Sequence, residues 1–466
     1  MKRKIVLLFL VCIITIAELF AQNPCSHWYY GHRSHLNFNT PNQEPTIDGF
    51  GHTMDVMLGT SSISANGNVL FYTDGTSVWN AQQQVMPNGY LLRDSPIIFL
   101  YQSSNASYNI DYNSFGYAGG QTPGSILGVS KFGTSTLVLP DPGSTSKYYV
   151  LSGINEVKQS GLFNTYVSNF PQTTYPRLGS LYYSKVNMNL DGGLGDVEQG
   201  SKRTLLKMNC GNQNVCAVKH GNNTNYWILT LGNTPNTLFS YEVTANGISA
   251  TPVVSTFPFN VSTTAQLKAN SLGSRLVASN FEDSLFLFDF NKWTGVISNR
   301  IAISLYNYPS PTSGLPSAAY PYLISGLEFS PNAKLLYFTT LSFVYQLDLT
   351  TFNLYPIAFP LNWGTSGRTH FGLQIGPNYK IYILGQYPYS ILSPPSVINN
   401  PNAIGAACNL VYDLGMTSAQ ISSIPRPGNP DYNYSSQHSF LNFITSMVAP
   451  WINTAPTMTT VNAVTK

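Results

Sequence analysis

The chain has 466 residues, of which 43% are hydrophobic, 13% are aromatic and only 9% are charged. Disordered chains combine low hydrophobicity with high net charge, so this composition excludes disorder. The 23 Lys and Arg residues nearly balance the 20 Asp and Glu residues, and a net charge of +3 excludes a polybasic nucleic-acid binder. The length is sufficient for one large repeat fold or for two or three ordinary domains.

The first 21 residues have the pattern of a secretory signal peptide. A short basic start precedes an apolar run at 5–17, and small or apolar residues lead to a cleavage point before Gln22. The run is short for a membrane span of about 20 residues, so we expect cleavage rather than an uncleaved anchor. No later stretch is long and apolar enough to span a bilayer. We therefore expect export to the cell surface or the medium, with the periplasm as the alternative.

Short β-rich segments separated by turn formers fill the chain beyond the leader. Examples are NVLFYT (68–73), KYYVL (147–151), NYWILTL (225–231), LFLFDF (285–290), KLLYFT (334–339) and KIYIL (380–384). Dipeptides such as Asn66-Gly67 and Asn246-Gly247 favour tight turns between antiparallel strands. The sequence therefore predicts an all-β protein built from antiparallel meanders.

A recurring unit of strand, short turn and second strand indicates internal repeats. Such units stand at 62–75, 267–280, 327–340 and 373–386, and a further strand follows three of them. Repeats of roughly 40–50 residues with about four strands each predict a β-propeller of four-stranded antiparallel blades. Seven blades are favoured and six are the alternative. A pair of β-sandwiches or a β-helix fits less well, because a third strand recurs and the repeat length is irregular.

The ends of the chain are predicted to close the propeller. We expect the early strands at His27–Tyr30 and Leu36–Phe38 to pair with late strands near Val397 or Phe440–Phe443. Closure removes open sheet edges, at which other chains would otherwise pair. The predicted boundaries are 1–21 for the signal peptide, 22–448 for the propeller and 449–466 for a linker-like tail.

Three loop segments are predicted to form an interaction rim: 102–124, 306–321 and 361–370. Long loops without secondary structure of their own are usually functional. Propeller loops gather at rims around a central channel, which is the default ligand position. Aromatic rings beside Asn and Ser suit both sugar faces and protein surfaces. The candidate binding residues are Tyr108, Tyr112, Phe115, Tyr117, Tyr306, Tyr308, Trp363 and His370.

Calcium is the one cofactor for which the sequence offers candidate ligands. Asp191, Asp196 and Glu198 surround three glycines in LDGGLGDVE (190–198). Oxygen-rich loops that turn at glycine suit calcium, but the spacing is not that of an EF-hand. A hairpin turn, with glycine at positive φ, is the favoured interpretation of this segment.

Four cysteines persist beyond the leader, in an oxidising compartment where disulfides are permitted. Cys210 and Cys216 are candidates for a small closed loop, and Cys25 and Cys408 for a bridge between the chain ends. Free buried thiols are the alternative. The spacing contains no CxxC pair, which disfavours zinc.

Motifs of catalysis are weak. The sequence contains no G-x-S-x-G elbow, no HExxH and no Walker loop. Asp48 and Asp55 with His52 are the best of several poor candidates for paired acid–base work. A metal site near the N-terminus would use His27, His32 and His35. Surface or turn histidines are the favoured interpretation, and the sequence favours a binding protein over an enzyme without deciding the question.

An ordered set of landmarks carries a family resemblance. The set is WYYG (28–31) with LNFN (36–39), LFYTDGTSVWN (70–80) with MPNG (86–89), LDGGLGDV (190–197), AVKHGNNTNYWILT (217–230), GLEFSPNAKLLYFTT (326–340), LQIGPNYKIYI (373–383) and PNAIGAACNL (401–410). From about residue 27 to 445 the chain resembles the N-terminal β-propeller region of gliding motility-associated surface proteins of Bacteroidota, which are exported by type IX secretion. The resemblance implies a propeller fold and a surface address, and no defined ligand. Relatives usually continue into immunoglobulin-like repeats and a sorting domain, whereas this sequence ends in the linker-like tail.

The sequence therefore predicts an exported, surface-associated β-propeller that binds or scaffolds in the manner of an adhesion module. The expected partner is a surface protein or a polysaccharide, and neither nucleic acid nor a membrane span of the mature chain is expected. The alternatives are a propeller enzyme acting on extracellular polysaccharide and a structural component of an envelope assembly.

Overall fold

Seven antiparallel sheets form the blades of a β-propeller, as the repeat pattern predicts. The computed structural model describes residues 24–30, 34–40, 44–48, 59–75, 77–90, 92, 136–153, 180–208, 210–232, 237–257, 266–279, 284–305, 308, 324–340, 343–358, 369–386, 394–417, 420 and 440–441. The predicted signal peptide and tail lie outside these residues.

Consecutive strands belong to the same blade, so the chain passes around the ring one blade at a time. Blade one contains β1 (His27–Tyr30), β2 (Ser34–Asn37) and β3 (Thr46–Asp48). Blade two contains β4 (Gly59–Ala65), β5 (Asn68–Thr73) and β6 (Val78–Asn80). Blade three contains β7 (Thr136–Pro140), β8 (Lys147–Gly153), β9 (Leu181–Asn187), β10 (Asp196–Val197) and β11 (Thr204–Lys207). Blade four contains β12 (Cys210–Lys219), β13 (Tyr226–Gly232), β14 (Thr237–Thr244), β15 (Gly247–Ile248) and β16 (Val253–Thr256). Blade five contains β17 (Leu267–Ala269), β18 (Arg275–Ser279), β19 (Ser284–Phe290) and β20 (Ile297–Ser304). Blade six contains β21 (Ile324–Phe329), β22 (Leu335–Thr340), β23 (Val344–Asp348) and β24 (Leu354–Ala358). Blade seven contains β25 (Thr369–Ile375), β26 (Ile381–Gln386), β27 (Ser396–Ile398) and β28 (Leu410–Val411). The last strand is β29 (Phe440–Leu441).

The outermost strand of a blade is irregular in three places. In blade two, Val85 forms a single antiparallel bridge with Trp79 of β6. In blade three, β10 and β11 both pair with β9, and in blade four β15 and β16 both pair with β14. The fourth position is therefore filled in each of these blades, by one bridge or by two short strands.

Both faces of a blade are buried, which explains why many strands are hydrophobic without interruption. In β22 (LLYFTT) every residue is buried. Leu336 and Phe338 pack into the core between blades five and six, whereas Leu335 and Tyr337 pack into the cluster shared with blade seven. Because successive side chains of a strand point to opposite faces, one strand contributes side chains to two different blade interfaces. The core of the protein is a ring of such interfaces rather than one central cluster.

The predicted hairpin dipeptide at the β4–β5 turn is confirmed. Asn66 and Gly67 both have positive φ, at 52° and 76°. Two such residues in succession are the requirement of the type I′ turn, whose twist matches that of the flanking strands.

The strand β29 closes the ring. It pairs in parallel with β4, with Phe440 opposite Gly59, and it also lies against β1 and β25. It is the edge strand of the sheet β29–β4–β5–β6, next to the first strand of blade two. Closure by the segment near Phe440 is confirmed, but its hydrogen bonds are made to β4.

The other pairings predicted for the closure are wrong. Strands β1 and β2 pair with each other, with Trp28 opposite Leu36. Val397 pairs with Tyr382 and Val411 inside blade seven. The early strands already have partners within their own blade, since β2 also pairs with β3. The C-terminal strand instead pairs with β4, in the sheet β29–β4–β5–β6.

Candidate functional site

Strand direction divides the connections of the propeller between two faces. Neighbouring strands of a blade are antiparallel, so turns from the first to the second strand and from the third to the fourth lie at the same end of the blade. We call this end the hairpin face, and among its turns are 66–67, 220–225, 270–274 and 291–296. The opposite end, which we call the crossover face, receives the connections from the second to the third strand and from one blade to the next.

The three predicted rim segments belong to blade-to-blade connections. Segment 102–124 lies between blades two and three, 306–321 between blades five and six, and 361–370 between blades six and seven. The strand ends that carry them are therefore all on the crossover face. Six of the predicted binding residues lie outside the described residues: Tyr108, Tyr112, Phe115, Tyr117, Tyr306 and Trp363.

Tyr308 and His370 are the two predicted rim residues that the structure places. The half-buried ring of Tyr308 packs against the core between blades five and six, and its hydroxyl donates to the carbonyl of Phe352 at 2.8 Å. Burial raises the pKa of this phenol. The contact gives Tyr308 a packing role between blades. His370 lies opposite Gly385 near the beginning of β25, at the crossover end of an inner strand.

Two of the three calcium candidates are engaged with hydrogen-bond donors. The buried carboxylate of Asp196 accepts from the backbone N–H of Asn88 at 2.7 Å and from its Nδ2 at 2.6 Å, and the N–H of Val197 donates to it at 2.8 Å. Glu198 forms an ion pair with Lys147 at 2.7 Å. Asp191 is exposed in a turn with positive φ, at 49°. Among the residues that the structure describes, no three His, Cys, Asp or Glu side chains are grouped to hold a metal ion.

Neither predicted disulfide is formed, because Cys210, Cys216 and Cys408 are buried free thiols. Residues six apart on a regular strand share a face. The register of β12 shifts between Cys210 and Val215, however, so Cys210 packs between blades three and four and Cys216 between blades four and five. Burial raises the pKa of Cys210 to about 11 and that of Cys216 to about 12. Cys25 is buried in the same core cluster as Cys408.

The early histidines form a hydrogen-bonded pair. Nδ1 of His27 lies 2.9 Å from Nε2 of His35, and the rings are stacked. Nε2 of His27 donates to the carbonyl of Gly67 at 2.8 Å, so in neutral His27 it is Nδ1 that accepts from His35. Both nitrogens of His27 are thereby used, and burial lowers its pKa. His32, His52 and Asp55 lie outside the described residues.

A buried ionic network on the inner strands was not predicted from the sequence. Nζ of Lys268 lies 3.0 Å from the Glu328 carboxylate and donates to Oε1 of Gln374 at 3.0 Å. These residues belong to β17, β21 and β25, the first strands of blades five, six and seven. Burial raises the pKa of the Glu328 carboxyl, although the ammonium of Lys268 opposes this. The sequence signal that could have indicated this network is a charged residue inside an apolar strand, at Lys268 and at Glu328, in a chain with few charges.

The described residues contain no helix that is both long and apolar enough to cross a membrane.

Comparison with known proteins gives no family. No family model matches the chain, and no curated protein matches it. Among solved structures, the chain is similar to the periplasmic gluconolactonase of Pseudomonas aeruginosa, with 11% identity, a TM-score of 0.36, and coverage of 62% of this chain and 73% of that one. It is similar to a putative 6-phosphogluconolactonase of Bacteroides fragilis, with 10% identity, a TM-score of 0.32, and coverage of 61% and 84%. It is also similar to the extracellular domain of a putative one-component system of B. thetaiotaomicron, with 12% identity, a TM-score of 0.32, and coverage of 75% of this chain and 31% of that one.

Proposed function

We propose that this protein is an exported, surface-associated β-propeller that binds or scaffolds through its crossover face. One observation carries the proposal: three segments chosen from composition alone, 102–124, 306–321 and 361–370, all depart from strand ends on the same face. Loops on one rim of a propeller can act on one ligand, because the blades hold their ends in fixed positions.

The composition supports a neutral binding surface. The chain has 30 Tyr and 25 Phe residues but only 9% charged residues. Tyrosine supplies a rigid contact area with a hydrogen-bonding tip. A surface protein or a polysaccharide is the partner that such loops would suit. The signal-peptide pattern of residues 1–21 supports export, and the ordered landmarks support kinship with gliding motility-associated surface proteins.

Affinity capture tests the proposal. Immobilised full-length protein is exposed to envelope and spent-medium extracts, and the retained material is analysed for both protein and carbohydrate. A variant lacking 106–120 is run in parallel, with V254T as a control on the outer strand β16, where Val254 is 55% exposed. We expect the deletion to reduce capture strongly and V254T to leave it unchanged.

The nature of the captured material separates the alternatives. A stoichiometric protein partner would indicate an envelope assembly component, and enriched polysaccharide would indicate a sugar-binding module. Slow cleavage of that polysaccharide would indicate the enzyme alternative. Full capture by the 106–120 deletion would contradict a binding role for that rim segment.

A further inference from the structure

A second candidate site lies on the hairpin face, opposite the proposed rim. Trp293, in the turn between β19 and β20, is 62% exposed, more than any other large hydrophobic side chain among the described residues. Tryptophan is usually well buried, since its large ring gains much from leaving water. An exposed indole is therefore informative where the structure also holds it in one position.

The neighbouring blade fixes the Trp293 ring. One face of the indole lies directly on the backbone of Gly221, so closely that a Cβ at that position would overlap the ring. The His220 ring meets the indole edge-on, with centroids 5.8 Å apart. Contact with the bare backbone of a glycine covers one face of the ring, and the high exposure of the side chain leaves the other face for solvent.

A reciprocal contact locks the two turns together. Trp227 of blade four packs on Gly295 of blade five, where a Cβ would lie 2.6 Å from the ring. The carbonyl of Lys292 accepts from Nε1 of Trp227 at 2.8 Å and from the N–H of Gly221 at 3.0 Å. Trp227 is buried by this exchange, whereas Trp293 is not. The turn is thus already anchored by one tryptophan, and burial does not account for the second.

The surroundings of the exposed ring are polar. Asn222, Asn223 and Thr224 follow Gly221 in the same turn and are exposed. Oδ1 of Asn222 already accepts from the N–H groups of Thr224 and Asn225, so its Nδ2 group and the amide of Asn223 are the groups that suit the hydroxyl groups of a sugar. An indole face suits the apolar face of a pyranose ring. Leu272 and Val296 are the aliphatic side chains exposed in the adjoining turns, a small apolar area beside the roughly 800 Å² that each partner buries in a stable protein interface.

We propose that Trp293 is the stacking platform of a carbohydrate-binding site on the hairpin face, with the 222–224 turn as its hydrogen-bonding edge. The site takes a neutral pyranose unit of a polysaccharide. It is separate from the crossover-face rim and does not depend on it.

The test uses purified full-length protein in affinity electrophoresis through gels containing starch, xylan, galactomannan or mixed-linkage β-glucan. Oligosaccharides of the retarding polymer are then titrated by calorimetry. We expect at least one polymer to retard the protein. W293A should weaken binding about tenfold or more, as truncation of an aromatic anchor does, and W293F should retain part of the affinity.

A second variant separates the position of the ring from its presence. G221A keeps Trp293 but places a methyl group where the indole lies, and the backbone of Gly221 is not in the left-handed region. It should lower affinity as W293A does. V254T should bind like the natural chain, and thermal unfolding should show that all variants are folded.

The proposal is overturned if no polymer retards the protein, or if W293A binds sugar as tightly as the natural chain. Loss of a captured protein partner in W293A without any sugar binding would also overturn it, in favour of a protein contact. Deletion of 106–120 should leave sugar binding at Trp293 intact, so failure of the rim proposal is distinguishable from failure of this one.

Discussion

The ammonium of Lys268 lies 3.0 Å from a carboxylate oxygen of Glu328, and the two residues belong to the inner strands of adjacent blades. Glu328 is fully buried, and its second anchor is the N–H of Ile375 in blade seven, at 3.0 Å. Three blades are therefore joined by one pair of charges. A buried pair of this kind contributes little compared with apolar packing, but the removal of one partner leaves a charge without compensation.

We expect K268M to lower the free energy of unfolding by about 3 kcal/mol or more, because the buried Glu328 carboxylate loses its partner. The double variant K268M/E328L should be less destabilised than K268M alone, since it buries no charge. Urea denaturation at neutral pH measures both.

The exposed ion pair in the neighbouring strands is the matched control. Arg275 and Asp289 approach to 3.6 Å, with side chains 38% and 47% exposed. R275A should cost less than about 1 kcal/mol, as exposed pairs usually do. Equal losses of stability in R275A and K268M would show that burial is not what makes the Lys268–Glu328 pair important.

Acidification should destabilise the protein through His27. Burial lowers the pKa of this imidazole from 6.5, so the unfolded chain binds its proton at a higher pH than the folded chain does. The stability that neutral His27 contributes is therefore fully present above pH 6.5, and it is lost as the pH falls from there through the pKa of His27 in the folded protein.

The measurement is the melting temperature between pH 7.5 and 5.0, compared with that of H27Q. Glutamine retains an N–H donor for the carbonyl of Gly67 but does not titrate. The decline should be shallower in H27Q than in the natural chain. Parallel curves would assign the pH dependence to other groups.

The blade architecture is predictable from the sequence because its information is local. Strand composition, turn dipeptides such as Asn66-Gly67, and the recurrence of the unit each depend on a few consecutive residues. The Lys268–Glu328 contact is not predictable in this way, since its members lie in different repeats and meet only when the ring closes. The same limit applies to Cys210 and Cys216, whose faces depend on an irregularity within β12.

Similar sequence patterns also serve different roles in different blades. DFNKWTG and DLTTFN both place an Asp near the end of the third strand. Asp348 accepts from the N–H of Thr350 at 2.8 Å and from the hydroxyl of Thr351 at 2.9 Å, which stabilises its turn. In blade five the equivalent acceptor is Asn291, which accepts from the N–H of Trp293 at 2.9 Å, while Asp289 pairs with Arg275.

Asp348 therefore gives a further prediction. D348A should cost about 1 kcal/mol, as the loss of a side-chain acceptor for turn N–H groups does, and D348N should cost less because its amide oxygen still accepts. D289A, the matched position in blade five, should have a smaller effect than D348A. Denaturant midpoints of the three variants decide, and an effect of D289A as large as that of D348A would contradict the assignment.

Calcium removal should leave stability unchanged. Asp196 is surrounded by N–H donors from Asn88 and Val197, and Glu198 faces the ammonium of Lys147. Such donors occupy the oxygen lone pairs that a cation needs. The melting temperature in EDTA should equal that in calcium, whereas N88A should lower it in both. A higher melting temperature in calcium than in EDTA would instead support a metal site in the 190–198 segment.

Closure by β29 gives the last prediction. A chain that ends at residue 439 lacks the strand that pairs with β4 and contacts β25. Its open inner edge exposes unpaired backbone groups, so we expect a lower melting temperature and aggregation. A chain that ends at residue 448 keeps β29 and should match the natural protein in both respects. Light scattering during thermal unfolding compares the two truncations. If both behave alike, the ring is held by its blade interfaces, such as the Lys268–Glu328 pair, and not by the C-terminal strand.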